Sequence, residues 1–105
     1  MNNQIRLPEL YITAIINEFK KAFPKEDHLW IFGSRTNMQA KGGDIDLYVE
    51  TTLPTIDDVY EAKLNFSSNL QIIIGEQNID IVINRNNGLQ LPIYDVAKKE
   101  GILLV

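Results

Sequence analysis

A chain of 105 residues has room for one domain and little more, so residues 1–105 are read as a single unit. A hydrophobic share of 45% supports an ordinary globular core, and the absence of cysteine excludes disulfides and thiolate metal sites. The net charge of -4 disfavours a nucleic acid held through its phosphates, which needs clustered Lys and Arg, and suits a basic partner protein or a metal-masked substrate.

The opening MNNQIRLPEL lacks a cationic segment followed by an apolar core, so it does not read as a signal peptide. Apolar runs stay far below a membrane span. The expectation is a soluble, cytoplasmic protein with no membrane contact.

Residues 8–23 carry Leu10, Tyr11, Ala14, Ile15, Phe19, Ala22 and Phe23 at helical spacing, with Leu7 just ahead. Pro8 suits the first helical position, Glu9 the first turn, and Pro24 ends the helix. Ile12 and Ile16 lie off the main stripe. They either widen the core face or contribute to a contact with another chain.

Residues 28–32, HLWIF, read as a buried strand ended by Gly33, with Trp30 in the core and His28 without a catalytic role. Ser34 is placed to cap a short helix over 35–39, and Ala40 to Gly43 form a loop. Residues 44–50, DIDLYVE, start as a strand with one apolar and one acidic face. Thr55 is the expected N-cap of a helix over 56–74, with Asp58 completing an imperfect capping box, Asp57 and Asp58 favouring the helix dipole, and Gly75 as its stop. Residues 78–83, NIDIVI, form a third strand, and NRNNG over 84–88 a loop. A last helix spans 91–100, with Pro92 early, Lys98 and Lys99 in its last turn and Gly101 as cap; residues 102–105 add a terminal strand. The order is α-β-α-β-α-β-α-β. It predicts an α/β (α+β) fold with a small mixed sheet flanked by helices.

Asp44 and Asp46, two apart on a strand, leave the same face with roots about 6.6 Å apart. Such carboxylates can converge on one divalent ion or bridge two. Ile45 between them points into the core. Taken alone, this pattern equally describes the solvated face of an edge strand. Asp80 adds weight, because an acid within apolar NIDIVI needs a partner, and the nearest cation in sequence is Arg85. If the two strands are neighbours, three carboxylates gather and repel unless hard cations bind. Oxygen ligands favour Mg²⁺ or Mn²⁺ over zinc.

Gly33-Ser34 follows a strand and opens a helix. Glycine permits close approach to the backbone, free amides at a helix start attract anions, and the Ser34 hydroxyl can donate to a phosphate oxygen. The turn is not a P-loop. By itself it is merely a turn. Ahead of an Asp-x-Asp strand it offers a triphosphate amide donors on one side and metal-bridged carboxylates on the other.

The run FGSRTNMQAKGGDIDLYVE, residues 32–50, resembles the signature of the nucleotidyltransferase superfamily related to DNA polymerase beta. Gly33-Ser34, nine residues, Asp44-Ile45-Asp46 and then Asp80 follow its pattern, and the resemblance covers nearly the whole chain. The short length is similar to the minimal nucleotidyltransferases, many of which pair with HEPN-domain proteins in bacterial toxin–antitoxin modules. Thr36 and Gly43 depart from residues common in that family, and neither change removes a carboxylate.

The resemblance implies a nucleotidyltransferase fold and transfer of a nucleoside monophosphate from ATP, with pyrophosphate leaving. Asp44 and Asp46 would hold two Mg²⁺ ions, and Asp80 would bind one of them and help activate the acceptor hydroxyl. Gly33 and Ser34 would hold the β- and γ-phosphates. Arg35 would neutralise phosphate charge or stand in solvent. The leading expectation is a protein adenylyltransferase antitoxin that modifies a tyrosine of a HEPN toxin. The alternatives are an antitoxin acting by binding alone, and transfer to a small molecule or an RNA end, which the absence of a second domain and the acidic charge disfavour. Homo- and hetero-oligomers both remain open.

Overall fold

Alternation within short apolar segments builds the centre of the molecule: Leu29 and Ile31, then Ile45, Leu47 and Val49, then Ile81 all turn to one side of a sheet and are buried. The structure is a computed structural model and describes residues 5–36 and 43–105. Its strands are β1 (His28–Phe32), β2 (Ile45–Thr51), β3 (Ile79–Arg85) and β4 (Ile102–Leu103). They lie in the order β3-β2-β1-β4. β1 runs antiparallel to both β2 and β4, while β2 and β3 are parallel. A parallel neighbour needs a crossover, and the helix α2 (Ile56–Ile74) supplies it. The fold is therefore α+β, with a small mixed sheet flanked by helices.

The apolar face of the sheet packs on α1 (Glu9–Ala22) and α2. Phe19, Phe23 and Phe66 form an aromatic cluster there, with ring centroids 4.9 to 6.0 Å apart. The expected stripe of α1 holds except at Leu10, and Ile12 and Ile16 widen the core face as one of the two readings has it. Ile12 is buried and Leu10 is 68% exposed. Sequence spacing gives the period of a helix, but the packing partner selects its angular origin.

Helix boundaries follow local chemistry. Pro8 occupies the cap of α1 rather than its first helical position. Phe23 is extended at the other end, as the residue before a proline prefers. The Thr55 hydroxyl accepts from the Asp58 amide at 3.1 Å and caps α2. Gly75 ends α2 with φ +83°. The last helix, α3 (Pro92–Glu100), begins with proline, and the Gly101 amide donates to the Ala97 carbonyl.

Three expectations need correction. Asn84 and Arg85 belong to β3 rather than to the following loop. Trp30 is half-buried under α3 and outside the apolar core, packing on Tyr48 at 5.2 Å and beneath Lys98. The predicted helix over 35–39 is a 3₁₀ turn, Gly33–Thr36, as far as it is described; residues 37–42, including the rest of that helix and most of the glycine loop, lie outside the described residues. Among the described residues no helix is long and apolar enough to cross a membrane.

Candidate functional site

Side chains that leave the second face of the sheet fall into register as rows. Phe32, Asp46 and Asp80 are paired across β1, β2 and β3, followed by Trp30, Tyr48 and Val82, then His28, Glu50 and Asn84. α3 covers the second and third rows. The first row stays at the open end, and it holds the acids.

Asp46 and Asp80 therefore stand side by side on parallel strands, whose backbones are about 4.8 Å apart. Asp44 precedes the paired part of β2. The strand begins at Ile45, one residue later than expected, and Asp44 stands at its mouth beside Asn78. The Asn78 amide donates to Asp44 Oδ1 at 3.3 Å, and the Ile45 amide donates to the Asn78 carbonyl at 2.8 Å. Asn78 consequently anchors Asp44 from the start of β3. No local sequence signal marks this asparagine, because its role arises only once β2 and β3 are neighbours.

Burial raises the Asp46 carboxyl above its ordinary value of 3.8, and the charges of Asp80 and Asp44 raise it further. Among the described residues the ion pairs of Lys21 with Glu18 and of Lys98 with Glu50 lie away from this acidic group. The three acids thus feel one another as expected. They do not form the tight cluster expected: among the described residues, no three His, Cys, Asp or Glu side chains converge on a single ion-sized point. Two neighbouring carboxylates with a third nearby still form an all-oxygen donor set of the kind Mg²⁺ takes, since that ion keeps several waters and completes its shell with substrate phosphates.

Gly33 closes the site on the β1 side. Its φ of +77° lies in the region glycine tolerates. A Cβ there would collide with Asp46 Oδ2, so the turn and the carboxylate are in direct apposition. Ser34 lies within the 3₁₀ turn rather than capping a helix. The side-chain bond that closes the turn comes from Thr36, whose hydroxyl donates to the Gly33 carbonyl at 2.8 Å.

Arg35 neither reaches toward the acids nor stands free in solvent. Its Nη1 donates to the Arg6 carbonyl and its Nη2 to the Gly43 carbonyl, both at 3.0 Å. The Arg6 amide returns a bond to the Arg35 carbonyl at 2.7 Å.

Beside Asp44 opens a cleft of about 840 Å³, lined by Gly43, Asp44, Gln71, Glu76, Gln77 and Asn78. Its size suits a drug- or nucleotide-sized molecule. Gln71 shapes one wall through two bonds to the Gln77 backbone, each 2.9 Å. Asp46 and Asp80 stand outside the cleft lining.

No protein-family model matches the chain, and no curated protein matches it. The residues and their geometry are therefore what bears on function.

Proposed function

We propose that the protein is a metal-dependent nucleotidyltransferase that moves AMP from ATP to a hydroxyl group. The observation that carries this reading is the Asp46–Asp80 pair apposed to the Gly33 turn. Together with Asp44, it matches the minimal nucleotidyltransferase pattern of the DNA polymerase beta-like superfamily that residues 32–50 resemble.

Asp44 and Asp46 would hold Mg²⁺ or Mn²⁺, with Asp80 binding one of the ions. The ions would supply charge neutralisation to the triphosphate. The peptide groups of Gly33 and Ser34 would face its β- and γ-phosphates. Asp80 would orient the acceptor hydroxyl and draw its proton as the new oxygen–phosphorus bond forms and pyrophosphate departs. Proximity and charge placement account for most of the expected rate in such a reaction.

The acceptor class we favour is a tyrosine on a basic HEPN-type toxin. A net charge of -4 suits a basic partner that brings its own hydroxyl. The test is incubation with Mg²⁺, ATP labelled at the α-phosphate and such a partner. Label should move to the partner, and Asp44→Ala or Asp46→Ala should reduce transfer by about a hundredfold or more, the order seen when a charge-stabilising contact is removed. Undiminished transfer by both variants would refute the site.

A further inference from the structure

The first segment of the chain and the residue before Asp44 meet at one side chain. Ile5 is buried in the apolar core and anchors residues 5–7. The Arg6 amide and carbonyl both bond to Arg35, the first to its backbone at 2.7 Å and the second to its guanidinium at 3.0 Å. Arg6 Nη2 adds a longer contact of 3.4 Å to the Ser34 carbonyl. The second arm of the Arg35 guanidinium takes the Gly43 carbonyl at 3.0 Å. Arg35 Nε is buried and has no hydrogen-bond partner. Each terminal nitrogen of the fork thus holds a backbone carbonyl, and the two carbonyls lie on opposite sides of the Gly33–Thr36 turn in sequence.

From this geometry we infer that Arg35 is a positioning residue: a strap that fixes the Gly43–Asp44 peptide against the Gly33 turn, with the anchored N-terminal segment as its support. The inference rests on the nucleotidyltransferase reading for its consequence, and on hydrogen bonds alone for its existence. The Gly43 carbonyl belongs to the same planar peptide as the Asp44 amide, so holding one orients the other. Asn78 holds Asp44 from the opposite side. The strap thereby sets the separation between the phosphate-facing turn and the first carboxylate. Arginine suits the role because two separate nitrogens, fixed in one plane, each meet one carbonyl, whereas the donors of lysine all radiate from one nitrogen on a flexible stem. This role differs from contact with a phosphate, for which lysine would serve as a point charge.

The experiment uses the full chain and the variant Arg35→Lys, which keeps the charge and loses the fork. Amide hydrogen exchange of the metal-free, nucleotide-free protein should show residues 43–45 exchanging at least about tenfold faster in the variant, the direction expected of a lost local restraint. In the transfer assay, kcat and Mn²⁺ affinity should fall while the KM for ATP changes little. A raised KM with unchanged exchange would overturn the strap and make Arg35 a phosphate ligand. Unchanged exchange overturns it whatever the activity. Faster exchange in a protein whose wild type transfers no nucleotide would keep the strap and sink the nucleotidyltransferase reading instead. Should the variant not fold, NMR of the wild-type guanidinium decides: two resolved, slowly rotating Nη groups support the strap, and averaged signals overturn it.

Discussion

Two acids near opposite ends of the sheet contrast a carboxylate surrounded by donors with one crowded by other acids. Asp27, just before β1, is 1% exposed and accepts from the Thr51 hydroxyl, the Thr52 amide and the Thr52 hydroxyl. Its charge is spread over three donors, as burial of a carboxylate requires. Asp46 is only partly buried, yet it faces two other acids and a glycine turn, and its carboxyl is raised. The same contrast runs along β2 itself. Two residues beyond Asp46, the Tyr48 hydroxyl donates to Glu50 at 2.9 Å and accepts from Asn84 at 3.0 Å, Asn84 and Gln90 exchange amide bonds, and Glu50 pairs with Lys98. Burial keeps that hydroxyl protonated well above its ordinary range, with the Asn84 bond partly opposing the shift. Polar groups under α3 find one another. The row beyond it gathers acids instead.

Substitution should separate the two kinds of acid. Asp27→Ala leaves the buried Thr51 hydroxyl and two Thr52 donors without their acceptor and is expected to cost about 2 kcal/mol of stability. The molecules that remain folded should keep their transfer activity, because Asp27 is remote from the Asp46 row. Denaturant melts and assays of the same sample check this, and loss of activity without loss of stability would break the comparison.

Gly33→Ala lies at the boundary between the two behaviours. A side chain at φ +77° that also meets Asp46 should cost about 2 kcal/mol. It should also lower transfer by about a hundredfold, because small displacements of reacting groups carry penalties of that order. A stable Gly33→Ala protein with normal activity would show that the turn and the carboxylate do not need each other.

The smallest effect is the most diagnostic. In EDTA, Asp46→Asn should raise the melting temperature by a few degrees at neutral pH. The sign follows from the raised carboxyl. Ionised Asp46 penalises the folded state above its folded value, and below the ordinary value of 3.8 it is protonated whether folded or unfolded. The advantage of the variant should therefore shrink toward zero as the pH falls through that interval. A melting advantage independent of pH would remove repulsion as its cause. Asp27→Asn should melt lower than the native protein at neutral pH, because its amide nitrogen cannot accept from the Thr51 and Thr52 donors.

Much of the architecture was legible along the chain because its causes are local. Thr55 with Asp58, Gly75, Pro92 and Gly101 mark helix ends through hydrogen bonds or dihedral limits that involve only near neighbours. HLWIF and DIDLYVE announce strands through residue shape and alternation. The candidate acids could be named, and Asp80 could be tied to Asp46 on the condition that their strands were neighbours. That condition is met in the register of β2 and β3.

The remainder depended on which surfaces meet. Ile12 rather than Leu10 enters the core because α2 and the sheet choose the face of α1. Trp30 left the expected core because even-numbered positions of β1 face α3. Arg35 reads in sequence as a free cation or a phosphate ligand. Only the docking of residues 5–7 on one side and Gly43 on the other gives its two nitrogens their carbonyls. The sequence by itself determined the types of element, their ends and the identity of the acids, since each follows from chemistry within a turn or a strand. Tertiary structure alone decided that Asp46 stands beside Asp80, that Asn78 bonds to Asp44, and that Asp27 is satisfied. Those facts require chain segments far apart in sequence to share a few ångströms of space, and no local pattern encodes that distance.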